Sequence, residues 1–244
     1  MTQQSSFNPQ QFIAIVPAAG VGARMQAACP KQYLSIDNKS ILDHTLSVLQ
    51  SHPRIKRIVC AISPDDGYFG DSVFAHHQQV TRVDGGVERA DSVFNCLHYL
   101  TNHLPKAELE CTWVMVHDAA RPCLSGADID ALIDFVQHQG HGAILATPVR
   151  DTMKRASTEN GQNWVSHTEE RQHLWHALTP QCFPLMTLYR ALQQAFERDA
   201  TITDEASAIE GFGGYVGLVE GQMSNLKITH PQDLALAELI IKAR

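Results

Sequence analysis

The chain has 244 residues, with 19 Lys and Arg against 26 Asp and Glu, for a formal net charge of −7. A chain this long buries enough surface to fold without disulfides or metal, and its acidic balance argues against a protein that coats nucleic acid or an anionic membrane. Six cysteines are scattered without a Cys-x-x-Cys pair, so neither zinc spacing nor a disulfide framework fits, and reduced thiols in a cytoplasmic protein are expected.

In chain order, the polar opening Met1-Thr-Gln-Gln-Ser-Ser lacks a signal-peptide profile, and no apolar run approaches the ~20 residues that span a bilayer. Short apolar runs at Phe12–Val16, Ile58–Ile62, Trp113–Val116 and Ala143–Ala146 read as buried parallel strands, with Val80–Val83 a weaker fifth. Between them Ile41–Leu49, Ala90–Leu104 and Ala127–His138 read as helices, the last opened by the capping pattern Ser125-x-x-Asp128. This alternation predicts an α/β fold, a Rossmann-like three-layer core with a mostly parallel sheet. After Pro148 it breaks. Residues 150–175 are polar, with a turn at Asn160-Gly161, and read as a hairpin or arm leaving the core. A helix over Pro184–Phe196, strands at Tyr215–Val219 and Leu226–Ile228, and a final helix opened by Pro231 and running through Ile241 complete the chain. With no repeat or linker, residues 1–244 read as a single domain with an arm.

Directly after the first strand comes Pro17-Ala18-Ala19-Gly20-Val21-Gly22-Ala23-Arg24-Met25. Small residues at a strand-to-loop junction let backbone N–H groups approach a phosphate, although a Gly-x-Gly alone also fits a plain tight turn. No Gly-Lys-Ser/Thr follows, and Met25 stands where the dinucleotide fingerprint needs its third glycine. Arg24 and Lys31 downstream add the positive charge that a triphosphate requires.

This stretch, with Pro30-Lys31-Gln32-Tyr33, resembles the opening of the nucleotidyltransferases that activate phosphosugars, and most of all the cytidylyltransferase family acting on 2-C-methyl-D-erythritol 4-phosphate. Further matches follow in order: Asp84-Gly85-Gly86 with Arg89-Ala-Asp91-Ser92-Val93, His117-Asp118-Ala-Ala-Arg121-Pro122, Pro148-Val-Arg-Asp-Thr152, Trp175-His-Ala-Leu-Thr179-Pro-Gln181, Thr203-Asp204-Glu205-Ala206 and Asn225-Leu-Lys227-Ile-Thr229. The resemblance implies transfer of CMP from CTP to the polyol phosphate with release of pyrophosphate, in the synthesis of isoprenoid precursors outside the mevalonate route.

It also implies roles. Ala18, Ala19, Gly20, Gly22, Gly85, Gly86 and Ser92 would hold the nucleotide, with cytosine against the glycine pair. Asp118, at the carboxyl end of a strand, suits Mg²⁺, which takes one or two carboxylates and completes its shell with phosphate oxygens and water. Its other reading is a helix cap or turn residue. His117 reads as a packed, hydrogen-bonded histidine. Arg121 fits a phosphate and an ion pair about equally. Lys227 reads alone as an edge-strand lysine, whereas the family places it on the phosphates of both substrates. Thr152 and Arg171 on the arm, and Thr179 beyond it, match residues that bind the polyol phosphate. In the family the arm exchanges with a second subunit, so a homodimer is implied. One departure is Val87, which stands where close relatives carry Asp; an apolar side chain cannot accept from cytosine N4, so base discrimination would rest on backbone atoms.

No arrangement for nucleophilic catalysis stands out, and the implied chemistry needs none. A phosphate monoester, with a second pKa of about 6, is already ionised at neutral pH. Positioning and electrostatics then carry the reaction, with Arg24, Lys31 and Lys227 as the catalytic cations. The rival readings are a cytidylyltransferase for another polyol phosphate such as ribitol 5-phosphate, and a catalytically silent nucleotide-binding module. A dehydrogenase is disfavoured by Met25.

Overall fold

A computed structural model describes residues 11–20, 22, 25 and 29–244. Its centre is a seven-stranded sheet. Four parallel strands, β1 (Gln11–Pro17), β4 (Ile55–Ile62), β5 (Val80–Asp84) and β6 (Thr112–Val116), lie in the order β5-β4-β1-β6, so the chain winds outward from β1 in both directions. Two short strands, β2 (Ser35–Ile36) and β3 (Lys39–Ser40), pair outside this sheet. Beyond β6 come the antiparallel β10 (Trp175–Pro184), then β7 (Ala143–Pro148), and at the edge β11 (Gly217–Glu220), which runs parallel to β7.

Alternating side chains divide the core into two layers. Phe12, Ala14 and Val16 of β1 face α1 (Ile41–Ser51) and α4 (Gly126–Gln139). Ile13 and Ile15 face α2 (Arg89–His103), α5 (Leu185–Glu197) and α6 (Glu205–Gly211). The helices present matching stripes, Val93, Cys96, Leu97 and Leu100 on α2 and Ile129, Leu132, Ile133 and Val136 on α4. Their ends are set by side chains: Ser40 Oγ accepts from Asp43 N at 2.9 Å on α1, and Ser125 Oγ from Asp128 N at 3.1 Å on α4. A single turn, α3 (Lys106–Leu109), precedes β6, and α7 (Pro231–Lys242) covers a third small cluster containing Ile36, Ile41 and Ile228.

The expected α/β class and mostly parallel sheet are present, with helices on both faces. β2, β3, α3 and α6 are additions to the expected elements, and three further details differ from expectation. β10 is an additional strand whose first residue, Trp175, reads from sequence as the end of the arm; it enters the sheet antiparallel because the chain returns directly from a hairpin. Leu226–Ile228 is no strand: Ile228 N donates to Ala120 O at 2.9 Å, but its apolar character serves burial in the third cluster. The strand expected at Tyr215–Val219 begins at Gly217, since Tyr215 is exposed and pairing with β7 starts at Gly217 opposite Ala143.

The arm is a hairpin, β8 (Lys154–Glu159) and β9 (Gln162–Thr168), joined by Asn160 and Gly161, both at positive φ as a two-residue turn requires. Every residue of both strands is exposed, including Trp164 and Val165. Across from the arm, β10 carries a two-residue surplus against β7: Ala177 lies opposite Ala146, yet Gln181 lies opposite Ile144. All six cysteines are free thiols, and among the described residues no helix is long and apolar enough to cross a membrane.

Leu46 on α1 is fully buried between helix and sheet. Leu46→Ala should lower the unfolding free energy by about 2–5 kcal/mol, read as a reduced urea midpoint at unchanged slope; a loss under about 1 kcal/mol would mean the layers do not depend on this contact.

Candidate active site

Parallel strands whose ends are in register bring their carboxyl termini to one edge. Pro17 lies opposite Ala61, Ile62 opposite Asp84, and Ile15 opposite Val116. The winding reverses at β1, so a crevice opens between the loops after β1 and β6. It is an open cleft lined by Ala18, Ala19, Gly20, Lys31, Gly86, Ser92, Asp118 and Lys227, together with Gln32, Val87, Glu88 and Arg89.

Two glycines make this geometry possible. Gly22 has φ +65°, and a Cβ there would lie 2.6 Å from Lys31 Cγ, so only glycine lets the lysine stem cross the loop. A Cβ on Gly85 would lie 2.3 Å from Ala19 Cβ, so the loops after β1 and β5 touch only because it is absent. Gln32, buried, donates from Nε2 to Ala18 O at 2.8 Å and pins the first loop. Lys31 Nζ donates to Ile228 O at 2.9 Å. Ser92 Oγ accepts from Gly86 N at 3.0 Å and donates to Glu88 O at 3.3 Å, which leaves it one acceptor lone pair. Val87 stands at the mouth with 96% of its surface exposed.

Asp118 follows β6 and is the electrostatic centre. Its Oδ1 accepts from Arg89 Nε at 2.9 Å, and its Oδ2 faces Lys227 Nζ at 2.8 Å and Arg121 Nε at 3.5 Å. Burial alone would raise this carboxyl; the three cations, Arg89 foremost, hold it far below the usual carboxylate range. Arg89 also grips Glu205 with two hydrogen bonds, Nη1 to Oε1 at 2.7 Å and Nη2 to Oε2 at 3.0 Å. Arg121 is itself buried, which pulls its pKa down, and its Nη1 donates to Asn225 O at 2.7 Å.

A chain of neutral hydrogen bonds supports this centre. His117 Nε2 meets the carbonyl oxygen of Arg121 at 3.0 Å, and a carbonyl only accepts, so Nε2 carries the proton. Nδ1 is then an acceptor, taking the Thr179 hydroxyl hydrogen at 3.0 Å. Thr179 Oγ1 in turn accepts from Asp118 N at 3.1 Å. Burial, the largest influence, pushes His117 down to about 4, so the ring is neutral as the chain requires. The histidine is therefore packed and hydrogen-bonded, as its sequence context suggested.

A second open cleft lies on the other side of Asp118. It is lined by Arg121, Thr179, Gln181, Thr203 and Asp204, and it shares Arg89, Asp118 and Lys227 with the first. The structure thus brings together Ala18, Ala19, Gly20, Lys31, Gly86, Ser92, Asp118, Arg121, Thr179 and Lys227, with Gly22 and Gly85 packed directly behind. Arg24 lies outside the described residues. Thr152 and Arg171 are exposed beside the hairpin and line neither cleft of their own chain; Arg171 Nη1 donates to Arg150 O. Arg89 and Glu205 were not singled out from sequence. Both sit in matched motifs, but nothing local joins residues 116 positions apart.

Among the described residues no three His, Cys, Asp or Glu side chains cluster as a metal cage. A divalent ion would have the Asp118 carboxylate as its protein ligand and would need the rest of its shell from elsewhere, which fits Mg²⁺ accompanied by a triphosphate. Both Asp118 oxygens already face cations, so such an ion fits only together with a polyanion that offsets the added charge.

The profile of the family described as "IspD: 2-C-methyl-D-erythritol 4-phosphate cytidylyltransferase" matches residues 12–243. A protein of that name from Vibrio parahaemolyticus serotype O3:K6 is 52% identical over 236 residues, covering 97% of this chain and 97% of the relative. One from Salmonella paratyphi B is 54% identical over 228 residues, covering 93% and 92%. Among solved structures, the Francisella tularensis enzyme of the same name superposes with a TM-score of 0.79 at 33% identity, covering 95% of this chain and all of that one.

Because the Thr179 hydroxyl serves Asp118 and His117, Thr179→Val should cost about 1–3 kcal/mol of stability by leaving a buried N–H without an acceptor, and Thr179→Ser about 1 kcal/mol or less. Urea unfolding of both variants decides it; equal losses would show that the methyl group matters and the hydroxyl does not.

Proposed function

The chain belongs to the 2-C-methyl-D-erythritol 4-phosphate cytidylyltransferase family, and on that premise we propose that it transfers CMP from CTP to 2-C-methyl-D-erythritol 4-phosphate. The products are 4-diphosphocytidyl-2-C-methyl-D-erythritol and pyrophosphate, a step toward isoprenoid precursors. The observation that carries this reading is the meeting of two clefts at Asp118, Arg89 and Lys227. A reaction joining two phosphorylated substrates needs adjoining sites with fixed positive charge at the seam.

In this reading the first cleft takes CTP. Ser92 Oγ, with its free lone pair, suits the N4 amino group of cytosine, and backbone groups of Gly86 and its neighbours read the remaining edge. The loop from Ala18 to Gly22, with Arg24 and Lys31, takes the triphosphate. The polyol phosphate takes the second cleft, with Arg121 and Lys227 orienting its phosphate oxygen in line with the α-phosphorus. That oxygen is ionised at neutral pH, so no residue need remove a proton. Lys31 and Arg24 neutralise charge on the departing pyrophosphate. Mg²⁺ held by Asp118 would supply further neutralisation and polarise the α-phosphate oxygens.

A homodimer completes the site. An isolated two-stranded hairpin is marginal in water, and this one carries exposed Trp164, Val165 and Met153. Thr152 and Arg171 line neither of the two clefts of their own chain, which supports their serving the partner's second cleft. The remaining assignments are one nucleotidyltransferase domain over residues 1–244, with residues 150–175 as its arm, and a cytoplasmic location, where six unpaired thiols are at home.

Pyrophosphate release measured with CTP, Mg²⁺ and a panel of polyol phosphates tests the activity. Release with methylerythritol phosphate is expected; release only with ribitol 5-phosphate would move the substrate and keep the chemistry, and no release with any would leave a silent module. Lys31→Ala and Lys227→Ala should each lower turnover by roughly 10²–10³-fold, and EDTA should abolish it. Mixing inactive Lys227→Ala with inactive Arg171→Ala should restore about a quarter of wild-type activity, because random pairing makes half the dimers mixed, each with one intact site. No recovery would sink the shared site.

A further inference from the structure

We infer that Glu205 is a positioning residue for this reaction: its two-point grip on Arg89 fixes the Asp118 carboxylate and ties the wall of the polyol-phosphate cleft to the wall of the nucleotide cleft. Glu205 is the first residue of α6, and its side chain is only 2% exposed, so neither substrate can touch it. It acts through the guanidinium. Two Arg89 nitrogens are held by Glu205, and the third, Nε, donates to Asp118 Oδ1. A planar group held at all three nitrogens has no freedom left to turn, so the carboxylate it meets is held as well.

The placement gives the pair its second consequence. Arg89 opens α2, whose first turn lines the nucleotide cleft with Glu88 and Ser92. Thr203 and Asp204, immediately before Glu205, line the second cleft. One ion pair therefore joins the starts of two helices, one at each substrate. The neighbouring acid cannot replace it, because Asp204 Oδ1 caps α6 at Ser207 N and its Oδ2 accepts from Gln181 Nε2, each at 2.9 Å.

Glu205 also sets charge. Three cations face Asp118, and Glu205 claims two of the five donors of the foremost. Without it, Arg89 is free to close further onto Asp118, and less of the carboxylate's charge remains for a divalent ion. This consequence rests on the reading of Asp118 as the carboxylate that faces the metal.

The test compares wild type with E205Q, R89K, E205Q/R89K and D118N. The readouts are kcat and KM for both substrates, the Mn²⁺ concentration that half-saturates the enzyme–CTP complex by electron paramagnetic resonance, CTP affinity in EDTA, and the melting temperature. Outer partners of metal-facing groups are typically worth 10–100-fold, so E205Q should lower kcat about tenfold or more and raise the Mn²⁺ midpoint about fivefold. CTP affinity in EDTA should stay within about twofold. R89K keeps the charge but cannot grip both carboxylates, so it should behave alike even if E205Q does not fold. The double variant should lie within about twofold of the worse single one. Multiplying effects, or an E205Q that melts earlier with kcat and Mn²⁺ midpoint unchanged, would overturn the inference. A D118N with the wild-type Mn²⁺ midpoint would remove the metal reading of Asp118, and a non-additive loss of kcat in the cycle would still establish the positioning role.

Discussion

Asp118 keeps its negative charge at 9% side-chain exposure because three cations surround it, and those cations come from three separate stretches of chain. Arg89 arrives on the first turn of α2, Arg121 on the loop after β6, and Lys227 on the irregular segment before α7. A buried carboxylate without such partners would take up a proton. Conversely, three cations packed this closely would repel one another without Asp118, Glu205 and the Asn225 carbonyl between them. The fold is therefore needed for the charge, and the charge holds the loops at the sheet's edge in place.

That mutual dependence prepares the site for polyanions. The donors are fixed before any ligand arrives, by the His117–Thr179 hydrogen bonds on one side and by the Lys31–Ile228 and Gln32–Ala18 bonds on the other. Fixed dipoles and charges stabilise developing charge better than mobile ones, because they need not reorganise as the reaction proceeds. The net acidity of the whole chain is no contradiction, since Lys31, Arg89, Arg121 and Lys227 converge on one edge of one sheet.

The parts of this arrangement that are local in sequence were legible in it. Five parallel strands and the main helices follow from runs such as Ile58–Ile62 and stripes such as Ile129–Val136, because burial on both faces leaves continuous apolar strands. The loop after β1 and the pair Gly85-Gly86 announce close approach through residues without side chains. What could not be read was pairing at a distance. Arg89 and Glu205 look like ordinary surface residues on opposite halves of the chain. The Thr179 hydroxyl looks free for a ligand until the fold sets His117 beside it. Leu226–Ile228 shows the opposite failure, since apolar neighbours of Lys227 suggested a strand where the chain only buries Ile228.

The two-residue surplus in β10 lies between the arm and the core. Trp175–Ala177 continue the hairpin's side of the strand, and Gln181–Pro184 lie against β6 and β7, with Thr179 between them beside Asp118. An even surplus preserves the alternation of faces, so both halves of the strand keep the same side toward the core. A surplus of one would turn the arm over relative to the sheet and present the opposite faces of β8 and β9 to whatever covers them. An insertion at the hairpin tip would leave this facing unchanged, whereas between Ala177 and Gln181 only an even number of added residues would keep it.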